Sequence, residues 1–268
     1  MKVSMTHDYV EVMRQQCKIM CGLFVEPYAS NQIWPGDGKS KSNAYPPVHT
    51  HGQEGTFSSK TRFDTALRCL SPTISYLRTK RAIDYLIAIT LLPLFLLTCL
   101  CVCLANLIWS CGPLFFRQTR IGYQGKPFTL IKFRTMVPSV GNPENLLTRE
   151  GDARITRVGK FLRRSRLDEL PQLLNVLRGE MSWIGPRPEA ALLSDYYQSE
   201  LPHYQARYAV MPGVTGLAQV SQGHVISIED THGKLSYDLF FIQHTSLMLE
   251  VWIAVRTVQI MISGFGAK

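Results

Sequence analysis

The sequence predicts an α/β fold: a mostly helical, membrane-associated domain with a small sheet, a re-entrant membrane helix and amphipathic surface helices. Three observations carry this reading. No charged side chain occurs between Asp84 and Arg117, a run longer than the roughly 20 apolar residues that cross a bilayer. Phe128-Thr129-Leu130-Ile131 is short and rich in aromatic and β-branched residues, the composition of a strand. Leu167, Leu170, Leu174 and Leu177 recur at helical spacing and mark a buried face.

Residues 1–79 form a polar N-terminal extension, expected to be partly disordered. A short helix fits Val10–Phe24. Residues 31–62 are rich in Gly, Pro, Ser, Asn and His and poor in aliphatics, as linkers are. Gly38-Lys39-Ser40 imitates the tail of a phosphate loop, but the first glycine of that motif would fall at Ile33. Asp8, Glu11, Arg14, Lys18 and Glu26 interrupt every apolar stretch of the first 30 residues, so no secretory signal is expected.

Residues 80–116 are the membrane segment, uncharged from 85 to 116. Pro93 lies inside the run, where it removes a helix hydrogen bond and bends the axis. Arg78, Lys80 and Arg81 precede the run, and Arg117, Arg120 and Lys126 follow it. A single crossing usually carries its positive charge on one side. Basic flanks at both ends predict a helix that enters, bends at Pro93 and returns.

Residues 117–268 are expected to form a cytoplasmic catalytic domain at the membrane face. Its compact part covers 117–246, with the strand at 128–131 and helix over 157–180. Gly185-Pro186-Arg187-Pro188 and Pro212-Gly213 punctuate the remainder. A last apolar helix over 247–263 carries Trp252 and Arg256, and fits either core packing or the membrane surface. The net charge of +9 calls for anionic partners: lipid head groups, phosphorylated substrates or nucleic acid. No nucleic-acid module is recognisable, so that class is excluded. The seven cysteines read as reduced; Cys99, Cys101 and Cys103 lie in the apolar run as small hydrophobes.

The chemistry concentrates in Asp168-Glu169-Leu170-Pro171-Gln172. Pro171 is tolerated only in the first turn of a helix, which starts that helix near Asp168. The plain explanation of such a pair is helix capping. The surroundings argue for more. Arg149, Arg154, Arg157, Lys160, Arg163, Arg164 and Arg166 stand against only Glu150 and Asp152, a bias a solvated helix face seldom shows. Lys132, Arg134 and a proline-flanked Arg187 add cations, and a guanidinium suits diphosphate through paired hydrogen bonds. A helix start attracts phosphate and would hold Asp168 ionised and nucleophilic.

Several motifs in order resemble those of the bacterial sugar transferases, the monotopic phosphoglycosyl transferases. They are Lys80-Arg81 with Asp84 and Pro93; Gly112-Pro113-Leu114-Phe115-Phe116-Arg117-Gln118; Arg120-Ile121-Gly122; and Lys132-Phe133-Arg134-Thr135-Met136. Asp152-Ala153-Arg154-Ile155-Thr156-Arg157-Val158-Gly159, the Asp168 motif, Gly185-Pro186-Arg187-Pro188 and Pro212-Gly213-Val214-Thr215-Gly216-Leu217 complete the series. The resemblance implies that Asp168 attacks the β-phosphate of a UDP-sugar and releases UMP. Undecaprenyl phosphate then takes the sugar phosphate. It further implies Mg²⁺ at Glu169, phosphate contacts from Lys132, Arg134, Arg154 and Arg187, and a place in the bacterial inner membrane with the catalytic domain on the cytoplasmic face. A homodimer is a further expectation. Two positions depart from the pattern: Leu92 stands where a serine often precedes the membrane proline, and Phe241 replaces a tyrosine three residues after Asp238.

A different class, an inactive membrane adaptor of a polysaccharide pathway, would be free to lose the nucleophile; the intact Asp168-Glu169 pair argues against it. An ordinary metal-dependent glycosyltransferase often uses Asp-x-Asp, and this sequence has none.

Overall fold

The structure, a computed structural model, describes residues 73–109, 112–137, 152–222 and 228–263. Contacts divide the chain into two units. One comprises 70–137 and 153–268 and holds every element below. The other, 1–69 with 138–152, lies outside the described residues apart from Asp152, as do the expected helix Val10–Phe24 and the 31–62 linker.

The first element is α1, Ile74–Trp109, 36 residues with Pro93 inside. It begins six residues before the expected boundary at 80. It is the one described helix long and apolar enough to cross a membrane, and only 22% of that stretch is buried. Leu86, Ile89, Leu96, Leu97, Leu100, Leu104 and Leu107 are exposed. Asp84, Ala88, Phe95, Thr98 and Val102 form the narrow buried face, at spacings of three, four and seven.

Polar groups staple the start of α1 to the rest of the unit. Arg81 donates to the carbonyls of Met181 (2.9 Å) and Val176 (3.2 Å). Asp84 accepts from Ser182 Oγ (3.0 Å) and Trp183 N (3.1 Å). Lys80 donates to Ile184 O (3.0 Å) and pairs with Glu250. Two of the three basic residues before the apolar run are therefore engaged within the fold.

Strands β1 (Phe115–Ile121) and β2 (Pro127–Phe133) pair antiparallel, Phe116 opposite Lys132. The β2 strand contains the expected 128–131 core and extends beyond it at both ends. Phe95, Phe115 and Phe133 stack with centroids 5.6–6.4 Å apart, tying α1 to this hairpin. The helical stretch expected over 157–180 is divided. Helix α2 is Arg157–Arg164, capped by Thr156, whose side chain accepts from Gly159 N. Arg166 then turns into the left-handed region (φ 58°) and ends that axis. A 3-10 turn, Leu167–Gln172, leads into α3, Leu173–Arg178, closed by Gly179 at φ 84°.

A second, parallel pair joins β3 (Ser182–Ile184) to β4 (Gly213–Thr215). The chain segments here nearly touch: a Cβ on Gly213 would stand 2.1 Å from Gly185 N. Helices α4 (Ala191–Glu200), α5 (Leu217–Gln222), α6 (Ile228–Gln243) and α7 (Leu247–Ser263) complete the unit, with a 3-10 turn at Tyr204–Ala209. The α7 bounds are those expected from sequence. Tyr197, Tyr204 and Tyr208 pack around Leu201 and Leu235, so these aromatics serve the core.

Candidate active site

The site forms where β2, the 3-10 turn and the loop after β3 converge. Asn175, fully buried on α3, sets the first two against each other. Its Oδ1 accepts from Ile131 N (3.2 Å), and its Nδ2 donates to Thr129 O (2.7 Å). That side chain pairs with the free edge of β2 as a strand would, and so brings Glu169 up to Lys132.

Glu169 Oε1 accepts from Lys132 Nζ at 2.8 Å and from Arg187 Nη2 at 2.7 Å. Burial opposes ionisation of Glu169, but Arg187 and Lys132 outweigh it and hold the carboxyl well below its ordinary range. The Glu169 charge raises Arg187 in turn, while burial pushes the Lys132 ammonium down.

Asp168 is treated in the opposite way. Its Oδ1 is buried without a hydrogen-bond partner. Burial, then the neighbouring Glu169 charge, push its carboxyl above the ordinary value; Lys132, Arg163 and Arg187 pull it back only in part. The direction is opposite to the lowering that a helix start would give. The physical reason is the local backbone. Asp168 sits in a six-residue 3-10 turn followed by six helical residues, so no long helix dipole points at it. Side-chain cations supply the positive field instead.

Three carbonyl contacts fix the Arg187 loop. Arg207 Nη2 donates to Arg187 O (2.8 Å), Arg120 Nη1 to Pro188 O (2.9 Å), and Ile121 N to Glu189 O (3.1 Å). Behind them, buried Arg207 also pairs with Asp238 (2.8 Å) and Glu189, and Lys234 pairs with Glu189. Burial and Arg187 lower Arg120 to about 10.

Of the residues the sequence singles out, the structure brings together Lys132, Asp168, Glu169 and Arg187. The other two are Arg134 and Arg154. Arg134 donates from Nε to Pro113 O (2.8 Å), beneath Gly112. Arg154 lies in the turn before α2, its carbonyl accepting from Val137 N (2.9 Å). Sequence reasoning missed Arg163, whose Nε donates to Thr135 Oγ1 (2.9 Å) and whose charge acts on Asp168. It also missed Arg120, Gln172 and Arg207. Charge density flagged the segment holding Arg163 without ranking its members; Arg120 and Gln172 lie in motifs without being singled out, and nothing local marks Arg207.

A shallow depression lined by Arg120, Leu130, Lys132, Gln172, Arg187 and Pro188 opens beside the carboxylates. Among the described residues no group of three or more His, Cys, Asp or Glu gathers. Two adjacent carboxylates, one with an unpaired buried oxygen, fit Mg²⁺, which takes one or two carboxylates and completes its shell with phosphate oxygens and water.

Comparison with known proteins places the chain in a family. A family model described as Bacterial sugar transferase matches residues 75–264, from the first turn of α1 past the end of α7. The chain is 44% identical over 189 residues to a UDP-glucose:undecaprenyl-phosphate glucose-1-phosphate transferase of Caulobacter vibrioides, covering 70% of this chain and 71% of that one. It is 37% identical over 227 residues to a UDP-N-acetylgalactosamine-undecaprenyl-phosphate N-acetylgalactosaminephosphotransferase of Aeromonas hydrophila, covering 83% of this chain and 54% of that one. It is 39% identical over 181 residues to a UDP-glucose:undecaprenyl-phosphate glucose-1-phosphate transferase of Escherichia coli, covering 67% of this chain and 39% of that one. The matched region thus spans about half of the Aeromonas relative and less of the Escherichia one. With the match running through both the membrane-length helix and the carboxylate pair, the chain belongs to the bacterial sugar transferase family.

Proposed function

We propose that this protein is a phosphoglycosyl transferase. It moves a sugar 1-phosphate from a UDP-sugar to undecaprenyl phosphate at the cytoplasmic face of the bacterial inner membrane, the first membrane step of a polysaccharide or glycoconjugate synthesis. The observation that carries the reading is the split between two adjacent carboxylates. Glu169 is neutralised by Lys132 and Arg187, while Asp168 keeps an oxygen buried and unpaired beside them.

A desolvated carboxylate with a bare oxygen is a competent nucleophile. Asp168 attacks the β-phosphorus of the UDP-sugar; the bond to the bridging oxygen breaks and UMP leaves with that electron pair. The product is an acyl phosphate joining Asp168 to the sugar phosphate. An oxygen of undecaprenyl phosphate then attacks the same phosphorus, the acyl-phosphate bond breaks, and Asp168 is regenerated as the polyprenyl-diphosphate sugar departs. Lys132 and Arg187 neutralise phosphate charge in both steps, since donors already placed cost no reorganisation. Arg163 favours the ionised form of Asp168. Glu169 would hold Mg²⁺, which neutralises phosphate charge when bound.

The packing of α1 supports a helix that re-enters rather than crosses. Its buried face, from Arg81 to Val102, contacts the catalytic unit over about 32 Å at 1.5 Å per residue, comparable to a hydrocarbon core of about 30 Å. Phe95 and Val102 share a core cluster with Leu162 of α2. A perpendicular crossing would carry α2, with Arg157, Lys160, Arg163 and Arg164, into the bilayer, at about 2.5–3.5 kcal/mol per charge near the centre. A bend at Pro93 leaves the exposed leucines in lipid and the arginines in water.

The test is incubation of the purified protein with a panel of UDP-sugars and no acceptor. One of them should release UMP and add one sugar-phosphate mass that maps to Asp168. Asp168→Asn should give neither. UMP release without an adduct under acid quench would replace the covalent route with direct displacement.

A further inference from the structure

We propose that the side-chain amide of Gln172 is a substrate contact, donating from Nε2 to a non-bridging phosphate oxygen held in the depression beside Lys132 and Arg187. This deepens the phosphoglycosyl transferase reading and rests on it for the identity of the substrate. Gln172 is 2% exposed, yet its Nε2 has no hydrogen-bond partner. Buried donors are nearly always paired, because an amide that gives up water for nothing is costly. A well-packed core position would not select such a group; a carbon side chain of the same length would fill it better.

Location says what the missing partner is. Gln172 lines the depression together with Arg120, Lys132 and Arg187. Glu169 and Gln172 are three residues apart on one 3-10 turn, where side chains at that spacing eclipse. The two side chains therefore leave the turn on the same side, and Lys132 and Arg187, which converge on the carboxylate, line the depression with the amide. A ligand oxygen that satisfies it sits among three cationic side chains, a place for an anionic oxygen rather than a sugar hydroxyl. An amide adds a directed donor there without adding a fourth positive charge, which suits a phosphate that must leave again.

Two substrates bring phosphate to this point, the nucleotide-sugar diphosphate and the lipid phosphate, and the experiment separates them. Gln172→Met keeps length and volume and removes the donor. The first measurements are thermal unfolding of the purified full chain and calorimetric binding of inorganic pyrophosphate. Because Nε2 is unpaired, the Met variant should melt no lower than wild type, while its pyrophosphate affinity falls about 10- to 100-fold, the effect of one hydrogen bond to a charged group. A variant that melts several degrees lower, or that binds pyrophosphate as wild type does, overturns the proposal. So does a wild type that binds no pyrophosphate. Single-turnover rates then assign the source. Slowed adduct formation from UDP-sugar places Nε2 on the donor diphosphate; slowed discharge of a preformed adduct to undecaprenyl phosphate places it on the lipid phosphate. Unchanged rates in both halves overturn it. If wild type binds pyrophosphate through Gln172 but releases no UMP from any UDP-sugar, the transferase reading fails and the phosphate contact stands.

Discussion

Replacing each of the two neighbouring carboxylates by its amide should have opposite effects on stability. Glu169→Gln keeps a carbonyl acceptor but removes the charge that strengthens two hydrogen bonds, at 2.8 and 2.7 Å, and takes from Lys132 and Arg187 the counter-charge they share. Breaking a buried ion pair by removing one partner costs about 3–5 kcal/mol. The Arg187 side chain is 31% exposed, so water recovers part of this and the lower end, about 3 kcal/mol, applies. For a domain of this size one kcal/mol moves Tm by about 2–4 °C, which predicts a fall of about 6–12 °C. Asp168→Asn instead removes a charge that burial disfavours and whose Oδ1 bonds to nothing. Its Tm should match or exceed that of wild type. The assay is thermal unfolding in one detergent or nanodisc system at neutral pH, beside UMP release, which both substitutions should cripple. Equal losses of Tm in the two variants would refute the division of roles. So would a stable Glu169→Gln beside a destabilised Asp168→Asn.

The same split fixes the pH behaviour. The Glu169 pKa is depressed on folding, so its stabilisation is complete above the unfolded value near 4.3 and is lost as pH falls through the folded one. The Asp168 pKa is raised, so it opposes folding once pH exceeds an ordinary aspartate value. The acid limb of kcat/KM should accordingly lie above about 3.9, and a limb at or below that value would count against Asp168 as the nucleophile. Gly213→Ala would set a Cβ 2.1 Å from Gly185 N, with backbone on both sides. We expect failure to accumulate or a Tm loss of at least about 5 °C, and normal yield and Tm would show that the two segments part easily. Thr79→Cys and Thr119→Cys flank the membrane segment on exposed positions. Both should react with a membrane-impermeant thiol reagent from the cytoplasmic side, and labelling from opposite sides would establish a crossing.

The sequence makes the residues of the candidate site legible because their signal is local. Asp168, Glu169 and Pro171 are contiguous, Lys132 ends a short β-like run, and Arg187 stands between two prolines. What those residues do to one another is not local. Lys132 and Arg187 both converge on Glu169 rather than Asp168 because of the side-chain directions in a 3-10 turn and the bond from Ile131 N to Asn175 across 44 positions of sequence. Periodicity announces a helix but not which kind, so the dipole argument for Asp168 had the wrong geometry. Density of arginine over 149–166 reports a positive segment without saying which guanidinium turns inward. Arg163 reaches Thr135 and acts on Asp168. The role of Arg207 is still further from view. It lies in an unremarkable stretch and acts through the carbonyl of Arg187, 20 positions away.

Flanking charge and packing also differ as guides to the membrane segment. The charge argument counts Lys80 and Arg81 as free to face the cytoplasm, but both are engaged by backbone carbonyls of the catalytic unit. Packing replaces what that argument loses. Ala88, at the middle of the buried stripe of α1, packs with Leu130, Val176 and Met181. Leu130 in turn lines the depression two residues before Lys132, on the same face of β2. The exposed leucines of α1 and the cations Lys132 and Arg187 are thus separated by one helix and one side chain, a distance on the order of 10 Å. On the proposed reading this geometry meets the acceptor without a lid or hinge. A lipid phosphate at head-group level reaches the acyl phosphate from the membrane side, while a soluble nucleotide sugar enters the depression from water. A catalytic domain tethered through a linker would have to find that geometry anew at each turnover. Here the helix that enters the lipid is itself one wall of the core that sets Lys132 opposite Glu169.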